Sequence, residues 1–292
     1  MRDFVTNDGA RLTYDDLGPA GGHLVVLLHG WSGSRRYFLR NAEKLAEDGF
    51  RVVALDLRFH GDSDKPGRGY SVARLAVDLS DLFQHLGVSR ASPATVVGTS
   101  MGCAIIWKYA ELFGADGRIA RAVLVDQAPL QARRAGFGGV PAWEAGSKGL
   151  PDDAALRGLQ GALLDMPAFA RGNAECCLTL PLPPDVAEVL AAETLKAHPD
   201  DLGLLMADHT NQDHRFTLPT LSFPCLVMAG AHSGCFPMEG LMYLQDTIPD
   251  CRTAVFERAN HWLYVEEPDE FNRLVREFCE ERLPKGEVMR VA

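Results

Sequence analysis

Hydrophobic residues along the chain follow two alternating patterns. Short runs rich in Val and Leu, such as the one beginning at Leu24, are typical of strands buried on both faces of a parallel sheet. Between these runs lie segments with apolar residues at helical spacing, such as 71–86, where Ser71 is positioned to cap the helix. Because strands and helices alternate, we predict a mostly parallel central sheet with helices on both faces.

The texture of the chain changes between residues 130 and 216. There the β-branched runs vanish, and short helical patterns broken by proline, over 154–164 and 186–197, replace them. We therefore predict an α/β core formed by 1–129 and 217–292, with 130–216 inserted as a helical unit. The predicted strands are 11–17 (at an edge), 23–29, 51–57, 94–97, 119–125, 224–230 and 252–256, the predicted helices are 37–47, 71–86, 103–113, 238–247 and 271–283, and the tail 284–292 is predicted to be loose.

One serine stands out in this pattern. Ser100 lies in the sequence Gly-Thr-Ser-Met-Gly, directly after a predicted strand and directly before a predicted helix. A serine at such a turn is held in a strained conformation that exposes its hydroxyl beside the amides of a helix N-terminus. Ser100 is therefore a candidate nucleophile. Other polar residues also follow predicted strands, among them His29, Arg58 and Asp126, and active sites of parallel sheets form at that edge.

Composition limits the class of protein. The 292 residues are 47% hydrophobic and 23% charged, which is typical of a globular chain. The net charge of −10 argues against binding to nucleic acid or anionic membranes. Neither a secretory signal nor a run able to span a bilayer is visible, which favours a cytoplasmic location. The seven cysteines are predicted to be reduced and mostly buried, with the adjacent Cys176 and Cys177 as an alternative redox pair.

Four motifs together resemble the α/β-hydrolase family. They are His29-Gly30-Trp31, the segment 58–66, the turn around Ser100, and the segments 258–262 and 266–271 near the end. The resemblance covers nearly the whole chain and implies an α/β-hydrolase fold in which 130–216 is a helical cap. It also implies that His261 is the base that activates Ser100, and that the backbone N–H groups of Trp31 and Met101 form the oxyanion hole.

The third member of the triad departs from the family pattern. Most of the family carries its acid in the loop after the Gly230 strand, where this chain has Ser233. Some members carry the acid at the end of the preceding strand, and Asp126 stands there. A triad requires a carboxylate in the right geometry and not a particular loop, so we predict Asp126 as the acid, with Glu239 and Asp208 as minor alternatives.

These residues predict a serine hydrolase of small carboxylic esters or lactones that uses no cofactor and no metal. The partner is a small-molecule substrate, and the sequence gives no indication of oligomeric state. Carbon–carbon bond hydrolysis and perhydrolysis on the same triad, or a non-catalytic small-molecule receptor, are the alternatives. The residues of the insertion predicted to line the substrate pocket are Trp143, Met166, Phe169 and Met206.

Overall fold

The apolar run that begins at Leu24 forms a strand near the middle of a nine-stranded sheet. The computed structural model describes all residues, 1–292, and its strands lie in the order β1-β2-β4-β3-β5-β6-β7-β8-β9. From β4 to β9 in this order, every pair of neighbouring strands is parallel. The pairs β1–β2 and β2–β4 are antiparallel. The strands are β1 (Arg2–Val5), β2 (Arg11–Leu17), β3 (Leu24–Leu28), β4 (Arg51–Leu55), β5 (Ala94–Thr99), β6 (Ile119–Val125), β7 (Cys225–Gly230), β8 (Cys251–Phe256) and β9 (Val288–Val291).

The structure has ten α-helices beside this mostly parallel sheet, and the predicted fold class is confirmed. Ser71 caps the second helix, since its side chain accepts the amide of Arg74. No helix is both long and apolar enough to cross a membrane. The helices are α1 (Ala42–Glu47), α2 (Val72–Leu86), α3 (Met101–Phe113), α4 (Asp153–Ala162), α5 (Met166–Cys177), α6 (Pro184–Thr194), α7 (Pro199–Asn211), α8 (Met238–Thr247), α9 (Leu263–Glu266) and α10 (Pro268–Cys279).

Both ends of the chain differ from the sequence-based expectation. The strand β2 is not at the edge, because β1 pairs outside it. The tail is not loose either, since β9 pairs in parallel with β8. Each of these outer strands has only four residues. Their pairing depends on a neighbouring strand that short-range patterns do not reveal.

The chain leaves the sheet after β6 and returns at β7, and between them it forms α4 to α7. Only α4 and α6 correspond to predicted helical patterns. The helices α5 and α7 begin near Pro167 and Pro199, two of the prolines that the sequence pattern predicts as helix breaks. Proline in the first turn of a helix costs no hydrogen bond, so it marks a helix start here. This segment contacts the core, because Trp31 Nε1 donates to the carbonyl of Leu202 on α7 at 3.0 Å.

Candidate active site

The serine predicted as the nucleophile lies at a sharp turn between β5 and α3. Ser100 has φ 52° and ψ −120°, a conformation that residues other than glycine rarely adopt. The flanking glycines permit the turn, because a Cβ on Gly98 would lie 2.5 Å from the Gly102 carbonyl and one on Gly102 would lie 2.5 Å from the Leu28 oxygen. Strand and helix therefore pass close together, and the free amides at the start of α3 lie beside Ser100.

Asp126, at the carboxyl end of β6, contacts His261, which follows β8. Asp126 Oδ2 lies 2.5 Å from His261 Nδ1, and both side chains are buried. For this bond to form, a neutral imidazole must carry its proton on Nδ1. Its Nε2 is then free to accept another proton. Neither alternative acid is bonded to His261: Asp208 accepts the amide of Val72, and Glu239 lies in the first turn of α8.

The loop after β7 supports the acid from the position where most of the family carries it. Ser233 Oγ donates to Asp126 Oδ2 at 2.6 Å, and the Gly230 amide donates to Oδ1 at 3.1 Å. Ser233 Oγ itself accepts the amide of Phe236 at 3.1 Å. Asp126 is thereby fixed by three donors although its own φ is 49°. The carboxylate comes from the neighbouring strand, and the contact with the imidazole is retained.

The electrostatics of the pair favour a charged imidazole. Burial lowers the pKa of His261, but the negative charge of the Cys235 thiolate and the hydrogen bond to the Asp126 carboxylate outweigh it and hold this pKa well above 6.5. Burial raises the pKa of Asp126, and the hydrogen bonds from His261 and Ser233 oppose that rise. A carboxylate that stabilises the imidazolium performs the role of a triad acid.

The raised pKa of His261 leads to a prediction about pH. The imidazole acts as a base only when neutral, so hydrolysis that depends on it is lost as the pH falls through this pKa. We expect the acidic limb of kcat/KM to lie above pH 6.5, and Cys235→Ala to move it to lower pH, since that thiol is the largest raising influence. A pH series on wild type, Cys235→Ala and the remote Cys251→Ala tests this; a wild-type limb below pH 6.5 would contradict it.

Ser100 is not hydrogen-bonded to His261 in this structure. Its Oγ instead lies 3.4 Å from Oε1 of Gln127, whose amide nitrogen donates to the Ala128 carbonyl. Gln127 follows Asp126 directly and is buried. Sequence reasoning did not single out Gln127. Catalytic hydrogen bonds in unliganded sites are often long and tighten only when substrate binds.

The loop after β3 lies against Ser100. A Cβ added to Gly30 would lie 3.0 Å from the Ser100 Cβ. The next amide, that of Trp31, donates to no protein acceptor. Met101 is the first residue of α3, so its amide has no helical partner either. Two unpaired amides near Ser100 are what an oxyanion hole requires.

Two neutral histidines brace this loop. His29 Nδ1 bonds to the Gly30 carbonyl at 2.7 Å while its Nε2 accepts the amide of Leu57 at 3.0 Å. His60 Nε2 accepts the amide of Ser32 at 3.2 Å. Burial is the main cause that lowers the pKa of both imidazoles. Both nitrogens of His29 are occupied, so it supports the loop and is not available as a base.

Ser100 and His261 line one cavity of about 380 Å³ under the inserted helices. Of the four residues predicted to line it, Phe169 and Met206 do so. Trp143 does not: its Nε1 donates to the Leu130 carbonyl at 2.9 Å, and its ring packs on Tyr243.

Met166 does not line the cavity either. It begins α5 and packs against a small apolar cluster that includes Leu163 and Leu202. Apolar residues at helical spacing can face either a core or a cavity, and the sequence does not distinguish the two.

The cavity also has polar lining residues, of which the sequence indicated His209, at the rim, but not Gln131. Gln131 and His209 both line it and are almost fully buried. Nδ1 of His209 has no hydrogen-bond partner, and burial lowers the pKa of this imidazole to about 3. A neutral, unpartnered imidazole in a cavity wall is a ready partner for a ligand.

Sequence comparison decides the family, because the alpha/beta hydrolase fold family matches residues 23–268. The chain belongs to this family. The AB hydrolase superfamily protein YisY of Bacillus subtilis is 24% identical over 277 residues, which cover 94% of this chain and 97% of that protein. Non-heme chloroperoxidase CPO-A1 of Kitasatospora aureofaciens is 26% identical over 289 residues, covering 94% and 98%.

Other similarities are partial or concern the fold alone. The match to the non-heme chloroperoxidase of Streptomyces lividans, 34% identical over 129 residues, covers 44% of this α/β hydrolase and 45% of that protein's length. The solved esterase EaEST of Exiguobacterium antarcticum superposes with a TM-score of 0.85 at 24% identity, over 95% of this chain and 98% of its own. That likeness shows the shared fold.

Proposed function

We propose that this α/β hydrolase is a serine hydrolase that cleaves small carboxylic esters or lactones through an acyl-enzyme. The observation that carries the proposal is the 2.5 Å bond between His261 Nδ1 and Asp126, beside a cavity that Ser100 also lines. A serine hydroxyl is a weak nucleophile without a base, and an imidazole oriented by a carboxylate supplies one.

The first half-reaction begins with Ser100 Oγ turning from Gln127 toward Nε2 of His261. Oγ then attacks the acyl carbon while its proton passes to Nε2, and Asp126 stabilises the resulting imidazolium. The backbone amides of Trp31 and Met101 bind the oxyanion, each donor contributing about 3 kcal/mol to the transition state. The imidazolium next protonates the leaving alcohol, which departs and leaves Ser100 acylated.

The second half-reaction reverses these roles. A water molecule attacks the acyl carbon while His261 Nε2 takes its proton, and the carboxylic acid leaves as the proton returns to Ser100 Oγ. The segment 130–216 acts as a cap in this proposal, since its residues close the cavity over the nucleophile. A cavity of about 380 Å³ suits a small acyl group and a small alcohol or a single lactone ring.

The test combines labelling with a substrate panel. A fluorophosphonate probe is expected to attach to Ser100, located by peptide mass mapping. Esters, lactones and vinylogous diketones assayed in parallel separate ester cleavage from carbon–carbon bond cleavage. Absence of both labelling and turnover, in protein that is folded by circular dichroism, would favour the receptor alternative. Epoxide hydrolysis is disfavoured because it needs a carboxylate at position 100.

Perhydrolysis is a second candidate, favoured by the similarity over most of the chain to a protein named as a non-heme chloroperoxidase. Hydrogen peroxide would replace water in attacking the acylated Ser100, releasing a peroxycarboxylic acid and the free hydroxyl. Peracid formed from an ester and hydrogen peroxide is measured by its oxidation of bromide. Peracid formation faster than hydrolysis of the same ester would favour this candidate over the first.

The unpartnered imidazole in the cavity leads to a prediction about substrate choice. We expect His209→Leu to raise KM by about 5- to 150-fold for esters with a hydrogen-bonding group away from the scissile bond. This range corresponds to the loss of about 1–3 kcal/mol when such a contact is removed. Plain alkyl esters of the same length lose no such contact, so their KM stays within about twofold. The matched control is His214→Leu, because His214 is equally buried but packs on Trp107 outside the cavity. Equal changes for both ester types would contradict the prediction.

A further inference from the structure

Three thiols meet at the wall of the cavity beside His261. Cys176 and Cys177 are the last residues of α5, and Cys235 lies in the loop after β7. The Sγ atoms of Cys177 and Cys235 are 3.9 Å apart although the residues are 58 positions apart in sequence. The adjacent cysteines singled out in the sequence, Cys176 and Cys177, therefore lie near a third thiol, that of Cys235 in the core. The close pair, Cys177 and Cys235, lies between the inserted helices and the core.

This end of α5 is bonded directly to the residues that flank His261. The Cys177 carbonyl accepts the amide of Trp262 at 3.1 Å. The Cys176 carbonyl accepts Nδ2 of Asn260 at 3.1 Å. A displacement of the two cysteines therefore pulls on both neighbours of the proposed base.

Two of the three thiols are accessible to small reagents, whereas Cys177 is buried and meets the cavity only at its wall. All three line the cavity, Cys176 is exposed and Cys235 is half-buried. The neighbouring thiols and the imidazole lower the pKa of Cys235, which favours its reactive thiolate. Cys103 and Cys225, by contrast, are fully buried, and burial raises the pKa of each.

We propose that Cys177 and Cys235 are a redox-sensitive pair that forms a disulfide in the presence of a peroxide and thereby stops hydrolysis. The Cys235 thiolate attacks one oxygen of hydrogen peroxide and becomes a sulfenic acid, while the second oxygen leaves and takes up a proton to give water. The Cys177 thiol then attacks the sulfenic sulfur, and a second water leaves. Two thiols and one hydrogen peroxide thus give one disulfide and two waters.

The disulfide changes the geometry of the site. A sulfur–sulfur bond is about 2.05 Å long, so the two sulfurs must approach by about 1.9 Å from their present separation. That movement draws the end of α5 toward the loop after β7 and strains the bonds to Asn260 and Trp262. Correct triad geometry requires positions held within about 0.5 Å, so a displaced His261 no longer serves Ser100. The loss of activity rests on the proposed function, whereas formation of the disulfide does not.

The experiment uses the full chain, reduced and then treated with hydrogen peroxide in the absence of ester. We expect a linked peptide pair containing Cys177 and Cys235, the loss of two free thiols, and a more than tenfold fall in ester hydrolysis that dithiothreitol reverses. Cys177→Ser and Cys235→Ser, each normalised to its own reduced activity, should form no such pair and lose less than twofold. Cys251→Ser, at the far end of β8, is the matched control and should behave as wild type.

The outcomes separate this inference from the proposed function. Absence of the linked peptides, in protein whose Ser100 still reacts with a fluorophosphonate, overturns the inference and leaves the proposed function standing. Inactivation of Cys177→Ser equal to that of wild type also overturns it, and so does a link between Cys176 and Cys235 alone. If the protein hydrolyses no ester at all, peptide mapping still decides whether the pair forms.

Discussion

Replacing Ser100 with alanine is expected to reduce kcat/KM for short-chain esters by about 10⁶-fold, to the residual level that binding and the oxyanion amides supply. The substitution removes Oγ, and the neighbouring hydroxyl of Thr99 belongs to β5 and is not held at the turn conformation of Ser100. Fluorophosphonate labelling should disappear with the activity. Thermal unfolding should change little, because only a half-buried oxygen with one long contact to Gln127 is lost.

The matched control for this substitution is Ser222→Ala, which changes an exposed serine before β7. It should keep wild-type activity and labelling. Hydrolysis retained by Ser100→Ala, measured on protein purified free of the wild type, would refute the assignment of the nucleophile. It would also refute the proposed acyl-enzyme.

Moving the carboxylate from position 126 to position 233 tests the assignment of Asp126 as the triad acid. Asp126→Asn should reduce kcat by about 10⁴-fold, because an amide keeps the shape of the side chain but cannot stabilise the imidazolium. Ser233 Oγ lies 2.6 Å from Asp126 Oδ2, so a carboxylate at 233 reaches the same region. The double variant Asp126→Asn with Ser233→Asp should therefore regain at least about tenfold over Asp126→Asn, since a triad needs geometry and not a fixed strand.

The single variants control this exchange. Ser233→Ala removes one donor to Asp126 and should cost about 1–3 kcal/mol, or about 5- to 150-fold in kcat/KM, without abolishing activity. Ser233→Asp alone places two carboxylates together, which raises the pKa of one of them. Wild-type activity in Asp126→Asn would exclude Asp126 as the acid. Equal activity of Asp126→Asn and the double variant would show that position 233 does not substitute for it.

Much of the core was predictable because its signals are local. The strands β2 and β6 and the helix α8 were predicted with the bounds that the structure has, since their ends coincide with turn residues or with the end of an apolar run. The segment 37–47 was predicted as one helix, whereas the structure has a short 3₁₀ turn over Arg35–Phe38 and then α1. Helical spacing alone does not separate two short helices from one longer helix.

The local backbone around Ser100 was predictable because a motif fixes it. The turn around Ser100 is specified by its two glycines, which lie in contact with the helix and strand that they join. Pocket residues were less predictable: Phe169 lines the cavity and Trp143 does not. Both are buried aromatic residues. The residue type predicts that the ring is buried, but only the packing decides whether it faces the core or the cavity.

The sequence by itself determined that this chain is an α/β hydrolase with a serine at the turn between β5 and α3, because strand runs, helical spacing and short motifs are encoded by neighbouring residues. It also pointed to Asp126 once Ser233 was found in the loop where most of the family carries the acid. Only the tertiary structure decided that Ser233 donates to that carboxylate, that Ser100 Oγ lies near the side-chain amide of Gln127, and that Cys235 lies beside Cys177. These contacts join residues on different strands and helices, and their distances depend on how the whole sheet and its inserted helices pack together.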